Sequence, residues 1–250
     1  YRCGQCMDEY RDALSIELLS ERLRAERTDG EVTRFTLGTL AWELQSQGKF
    51  DEAEPLYREA LEVSRATLGN RHPDTLGSIN NLGALLLDKG ELATAEALLR
   101  EALEVSRETL GSRHPSTLLY INNLGQLLHV KGDLAAAEPL CREALEGRRE
   151  TLGDRHPNTL TSIHNLGHLL HVKGDLAAAE PLYREALEVQ RETLGNRHPS
   201  TRRSIKNLSR LLQAKDKLRP ADKFYGSAWR WLRGARRSKA LGIQARVAPP

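Results

Sequence analysis

Between residues 73 and 110 the apolar positions fall at helical intervals, break at a Lys-Gly pair, and resume. Ile79, Leu82, Gly83 and Leu86 share one stripe, and Ala95, Leu99, Ala102 and Leu103 share another. The spacing predicts two helices, from about Pro73 to Lys89 and from about Glu91 to Leu110, folded back on each other as a hairpin. Sustained alternation of β-branched and polar residues is missing, so strands are not expected.

The pattern recurs. An Arg-His-Pro triplet places its histidine at 72, 114, 156 and 198, a constant period of 42 residues. One helical hairpin per period, stacked into an array, is the arrangement that lets each unit bury its apolar face against the next. The expected organisation is a decayed half-repeat helix within 1–30 and complete units at 31–71, 72–113, 114–155 and 156–197. A degenerate capping unit at 198–232 and a basic, disordered tail at 233–250 complete it. The capping unit keeps Asn207 and Leu208 and ends in Phe224, Tyr225, Trp229 and Trp231, large enough to close an apolar end.

Punctuation fits this plan. Gly90, Gly132 and Gly174 fall at the hairpin turns, Gly69, Gly111, Gly153 and Gly195 where a left-handed C-cap is wanted, and Pro73, Pro115, Pro157 and Pro199 in a first turn. Pro55, Pro139 and Pro181 break a local rule inside the second helix, which is expected to bend or start late there. Gly83, Gly125 and Gly167, with Ala53, Ala95, Ala137 and Ala179, are small where the helices of a hairpin should cross.

Composition adds limits. Charged residues are 28%, aromatics 5%, and the formal net charge is +3, which suits an all-helical chain and argues against a polycation as a whole. The C-terminal stretch is different, with Arg230, Arg233, Arg236, Arg237, Lys239 and Arg246 and no acid between them. Cys3, Cys6 and Cys141 are too few and scattered for a disulfide framework, pointing to a reducing compartment, and no long apolar run or signal peptide is visible. A cytoplasmic location without membrane insertion is the expectation.

The residues "INNLGALLLDKGELATAEALLREAL" at 79–103 resemble the tetratricopeptide repeat (TPR) motif. The longer form, "NNLG…KG…AEPLYREALE…RETLG…HP", is similar to the repeats of kinesin light chain and nephrocystin-3-like proteins, over about residues 31–230. That resemblance implies an all-α fold, an α-solenoid of about five stacked hairpins coiled as a right-handed superhelix. It also implies a non-catalytic scaffold or adaptor, and for kinesin light chain a cargo adaptor reading short aromatic-plus-acidic segments. The long heptad coiled coil by which light chains join the motor is not in this sequence.

Positions shared by every unit read as scaffold, and positions that vary on an exposed arc read as specificity. His72, His114, His156 and His198 are therefore loop and cap residues. On the first helix of the fourth unit, positions 161, 164, 165, 168, 171 and 172 span about 120° opposite the packing stripe. In TPR proteins that arc faces the concave groove. Its candidate peptide-binding residues run from Trp42, beside Phe35, through Asn81, then Asn122, Asn123, Gln126 and His129, to His164, Asn165, His168 and His171. Arg203, Lys206, Asn207 and Arg210 complete the set.

Asn81, Asn123, Asn165 and Asn207 can donate and accept at once, as a peptide main chain requires, or can bond between adjacent helices. Arg203, Lys206 and Arg210 would attract acidic side chains or a terminal carboxylate, so the expected partner is a protein presenting an extended, acidic peptide, within a larger complex. The three histidines lack the glutamate or cysteine of a zinc site and stand beside no nucleophile motif or phosphate loop, so no metal, cofactor, small-molecule substrate or catalytic residue is assigned. Nucleic-acid or acidic-surface binding through the basic C-terminal repeat and tail is the alternative.

Overall fold

In the computed structural model, residues 15–25 and 33–216 are described. They form helices α1 (15–25), α2 (Arg34–Ser46), α3 (Phe50–Leu68), α4 (Pro73–Lys89), α5 (Leu92–Thr109), α6 (Pro115–Lys131), α7 (Leu134–Leu152), α8 (Pro157–Lys173), α9 (Leu176–Leu194) and α10 (199–216). No strand occurs among the described residues. The helix pair predicted for 73–110 is α4 and α5, displaced by one residue at most. Two compact units divide the chain, Tyr1–Leu169 and Leu170–Pro250. The expected aromatic cap after residue 216, the tail, and the Cys3–Cys6 pair lie outside the described residues.

In the first unit, α2 and α3, α4 and α5, and α6 and α7 pair as hairpins, while α3 also packs on α4 and α5 on α6. This is solenoid packing, in which the first helices α4 and α6 are each held on two sides. Accordingly α4 buries Leu76 and Leu85 as well as the predicted Ile79, Leu82 and Leu86. The partner α5 buries one stripe only, Ala95, Leu99, Ala102, Leu103 and Ser106. In the second unit Tyr183 and Leu187 of α9 and Leu208 and Leu211 of α10 are buried, and Thr201 donates from its hydroxyl to the Gln190 carbonyl.

Each His-Pro begins a helix for a definite reason. The histidine precedes the first helical residue, with extended backbone at His72 and His114, and its Nδ1 accepts the backbone N–H two residues on. The distances are 3.1 Å from Asp74 to His72, 3.2 Å from Ser116 to His114, 3.1 Å from Asn158 to His156 and 3.2 Å from Ser200 to His198. One otherwise unmatched donor of the helix start is thereby satisfied, while the following proline has no N–H to satisfy.

At the hairpin turn Gly90 adopts the left-handed conformation, φ 83° and ψ 10°, and the Glu91 N–H closes back on the Leu86 carbonyl at 2.8 Å. Gly132 and Asp133 repeat the arrangement, with Asp133 bonded to Leu128 at 2.9 Å. The glycines ending the second helices differ from expectation. Gly69, Gly153 and Gly195 have positive φ but ψ near 167°, outside the left-handed helical region, and after Gly69 and Gly153 a turn closes as the His72 and His156 N–H groups donate to the glycine carbonyls.

The prolines do not delay the start of their helices. α3, α7 and α9 start at the same register as α5, which has Ala97 where they have Pro55, Pro139 and Pro181. Each proline is the sixth helical residue, so it forfeits a single hydrogen bond close to a free end and the start is not delayed.

Small residues do sit at the hairpin crossing. A Cβ on Gly83 would stand 3.0 Å from Leu99 Cδ2 and Cγ, and one on Gly125 would stand 3.1 Å from Cys141 Sγ. Ion pairs at constant register then bridge one hairpin to the next. Lys89 reaches Glu54 at 2.5 Å, Lys131 reaches Glu96, and in the second unit Lys215 reaches Glu180. The ammonium holds Glu54 and Glu96 below the usual carboxylate range.

Replacing Gly83 by Leu should overpack this crossing and cost roughly 1–3 kcal/mol in denaturant unfolding. Replacing His114 by Ala should cost about 1 kcal/mol, whereas His114→Asn, an able N-cap, should melt close to the parent temperature.

Candidate functional site

The first helices of three successive hairpins, α2, α4 and α6, line a hollow of about 630 Å³ in the first unit. Phe35, Gly38 and Trp42 come from α2, Gly77, Asn80 and Asn81 from α4, and Leu119 and Tyr120 from α6. Phe35 and Trp42 are 70% and 61% exposed, and Leu119 is also exposed, whereas Tyr120 is buried as part of the floor. Such apolar exposure beside a concavity marks an interaction site better than scattered surface leucines do. Trp42 was a predicted site residue, and it stands where the next units carry Ala84, Gln126 and His168.

Charge in this hollow is balanced. Arg34 and Asp74 both line it and bind each other at 2.6 Å. Further along, Tyr57 Oη donates to Gln45 Oε1 at 3.0 Å and Gln45 Nε2 donates to Asp88 at 2.8 Å. Burial, with the Asp88 charge adding to it, pushes the Tyr57 hydroxyl up to about 12.

The asparagines have a role that periodicity alone left open. Asn123 Nδ2 donates to Asn80 Oδ1 at 2.8 Å, and Asn165 Nδ2 donates to Asn122 Oδ1 at 2.9 Å, each across 43 residues and so between neighbouring units. Within a unit Asn80 Nδ2 lies 3.5 Å from Asn81 Oδ1 and Asn122 Nδ2 lies 3.5 Å from Asn123 Oδ1. A ladder of amides thus runs along the first helices. Asn80, Asn122 and His164 are 3%, 6% and 7% exposed. The exposed part of the arc is therefore narrower than the 120° predicted, because Asn122 and His164 within it are buried. For Asn80 the reason is that α4 packs on α6, the first helix of the following hairpin.

Of the remaining predicted residues in the first unit, Asn81, Gln126 and His168 are exposed and Asn123, His129 and Asn165 are half-buried. His129 and His168 meet edge to face with ring centroids 4.9 Å apart. Burial pulls the His129 imidazole below its ordinary value. Among the described residues no group of three or more His, Cys, Asp or Glu is placed to hold a metal. In the second unit Arg203, Lys206 and Arg210 are exposed on α10, and His171 and Asn207 are half-buried. Sequence reasoning missed Arg34, Asp74, Gly77 and Tyr120, because it followed one face of each helix whereas the hollow also takes residues from the helix starts.

Hairpins of this spacing, stacked through their first helices around a lined hollow, define a repeat-built binding scaffold. The tetratricopeptide repeat family matches at residues 36–74, 75–116 and 117–158 in one form and 162–228 in another, so the chain belongs to the tetratricopeptide repeat family. Its repeats are of the kinesin light chain-like kind. It is similar to a Podosopora anserina structure of nearly identical TPR-like repeats, described as a kinesin light chain. The two are 27% identical over 81% of this chain and 96% of that one, with a TM-score of 0.65. A second structure of those repeats gives 26% identity, 84% and 96% coverage and a TM-score of 0.64. BtubC from P. vanneervenii, 22% identical with coverage of 100% and 97%, shares the fold at a TM-score of 0.66. No curated protein matches in sequence. Among the described residues no helix is long and apolar enough to cross a membrane.

Asn123→Ala should remove the partner of the buried Asn80 carbonyl oxygen and cost roughly 1–3 kcal/mol in denaturant unfolding. In the double variant Asn80→Ala, Asn123→Ala the cost should fall well short of the sum of the single costs, since neither polar group remains.

Proposed function

We propose that this chain is a non-catalytic adaptor that holds an extended peptide of a partner protein against the first helices of its repeats. It would act as a kinesin light chain-like cargo adaptor in the cytoplasm. Tetratricopeptide repeats build protein–protein interaction scaffolds, and the coarse function rests on that. The finer reading is carried by one observation, the hollow of about 630 Å³ with Trp42 and Phe35 exposed over it. Aromatic side chains that are exposed when free and covered when bound supply much of an interface's energy.

Support for an acidic component of the ligand comes from the second unit. Arg203, Lys206 and Arg210 stand at i, i+3 and i+7 on α10, all exposed, opposite the buried Thr201, Ser204, Leu208 and Leu211. Pairs formed there with carboxylates would be worth roughly 0–1 kcal/mol each, steering and selecting more than anchoring. The same exposed cations favour a second reading, binding of nucleic acid through this helix and the basic stretch after it.

Selection of a random peptide-display library on the full chain separates the two. Enriched sequences should be extended and acidic, and Arg203→Ala, Lys206→Ala, Arg210→Ala together should weaken their binding several-fold at low salt and little at high salt. Selected peptides that bind the triple variant equally well would sink the acidic reading. Tight, steeply salt-dependent binding of generic single-stranded RNA, lost in the same variant, would install the second one.

A further inference from the structure

His129 of α6 and His168 of α8 meet across the joint between two units, with ring centroids 4.9 Å apart and ring planes inclined at 72°. They stand 39 residues apart, and at the same separation the joint before has Leu87 and Gln126 and the joint after has His171 and Arg210. Two imidazoles are not what such a joint needs in order to pack. With Leu87 and Gln126 at these positions, α4 still packs on α6.

The ring separation is what a shared metal ion requires. With a zinc–nitrogen bond of about 2.1 Å and a ring centre about 1.1 Å behind the ligating nitrogen, two imidazoles on one ion have centroids about 4.5 Å apart at a right angle and about 5.2 Å apart at the tetrahedral angle. The observed 4.9 Å lies between these limits. Histidine χ2 is a broad torsion, so turning the rings brings one nitrogen of each to a common point while χ1 keeps its rotamer. His168 is exposed and His129 half-buried, so an ion from solvent can reach the pair.

We propose that His129 and His168 form an open binding site for a late divalent transition metal, zinc or copper, taking one nitrogen from each ring and water at the remaining positions. Donor chemistry selects the ion. Neutral imidazole suits zinc, copper and nickel, whereas calcium and magnesium demand several oxygen ligands. Among the described residues no third His, Cys, Asp or Glu is grouped with the pair, so the site is not a closed structural centre. His164, one turn before His168 on α8, is 7% exposed and lies too deep to share an ion held at the surface. Ligating imidazoles ordinarily hydrogen-bond through their second nitrogen, which leaves each ring a partner within the protein. Metal binding here stands independently of peptide binding, and either can fail alone.

Zinc chloride titrated into the untagged full chain, in competition with a chromogenic chelator, measures the site. One zinc per chain should bind more tightly than any other, undisturbed by excess calcium or magnesium. His129→Leu and His168→Gln copy the residues of the joint before, so each should weaken that zinc at least tenfold while the metal-free chain melts near the parent temperature. One equivalent of copper(II) should show two coordinated imidazoles by pulsed electron paramagnetic resonance in the parent and one in either variant. Zinc held equally by the parent and these variants, or a single imidazole on copper in the parent, would overturn the site. So would several zinc ions of equal affinity, the mark of adventitious binding to surface histidines. A tenfold loss in His164→Asn with none in His129→Leu would place both ligands on α8 and overturn it as well.

Discussion

A single hairpin of this repeat cannot bury its own first helix. α4 presents Leu76, Ile79, Leu82, Leu85 and Leu86, too wide a band for α5 alone to cover, and the surplus is hidden against α3 of the hairpin before. Burial of apolar area, at roughly 25 cal/mol per Å², therefore drives stacking as directly as it drives hairpin formation. Folding and array formation are one process. α4 and α6 are each held on two sides and keep a third side for solvent, and the hollow lies on that third side.

Most of this logic was legible because it repeats. The 42-residue period, the hairpin, the crossing glycines and the stripe on α5 follow from register and from the size of side chains. The widths of the buried bands were less legible. From sequence, Leu85 and Asn80 are merely near the stripe, and whether a neighbour covers them depends on a hairpin 42 residues away. The asparagines show the same limit. An amide suits a ligand's main chain and an adjacent helix equally well, and only coordinates reveal that Asn123 and Asn165 reach Asn80 and Asn122. The burial of Asn122 was hidden for that reason, whereas Trp42, exposed over the hollow, stands where other units have Ala84 or Gln126, a departure visible in the sequence itself.

Departures from the repeat are also where its chemistry becomes individual. Arg148 occupies a slot filled by Ser64, Ser106 and Gln190 elsewhere, and it is 4% exposed. Its guanidinium donates to the Asn158 carbonyl and to Ser162 Oγ, both at 2.9 Å, and desolvation lowers its pKa. Two neutral acceptors compensate a buried cation poorly, so this interface carries a burden that its sisters avoid. Beside it Gly147 stands where the sister helices have valine, and a Cβ there would meet Leu118 Cδ2 at 2.3 Å. The two substitutions adjoin in sequence, and the interior of this hairpin is arranged differently as a result.

The bridges from Lys89 to Glu54 and from Lys131 to Glu96, together with the His-Pro starts, have the same register wherever they occur in the first unit. Joints of identical pattern are interchangeable. A genetic duplication or loss of a whole period would re-form these bridges and helix starts, so such a chain can change its length in evolution while keeping the same joints. Selection would then act on what the inserted unit displays, and the number of units in related chains is free to drift while the joint between them stays fixed.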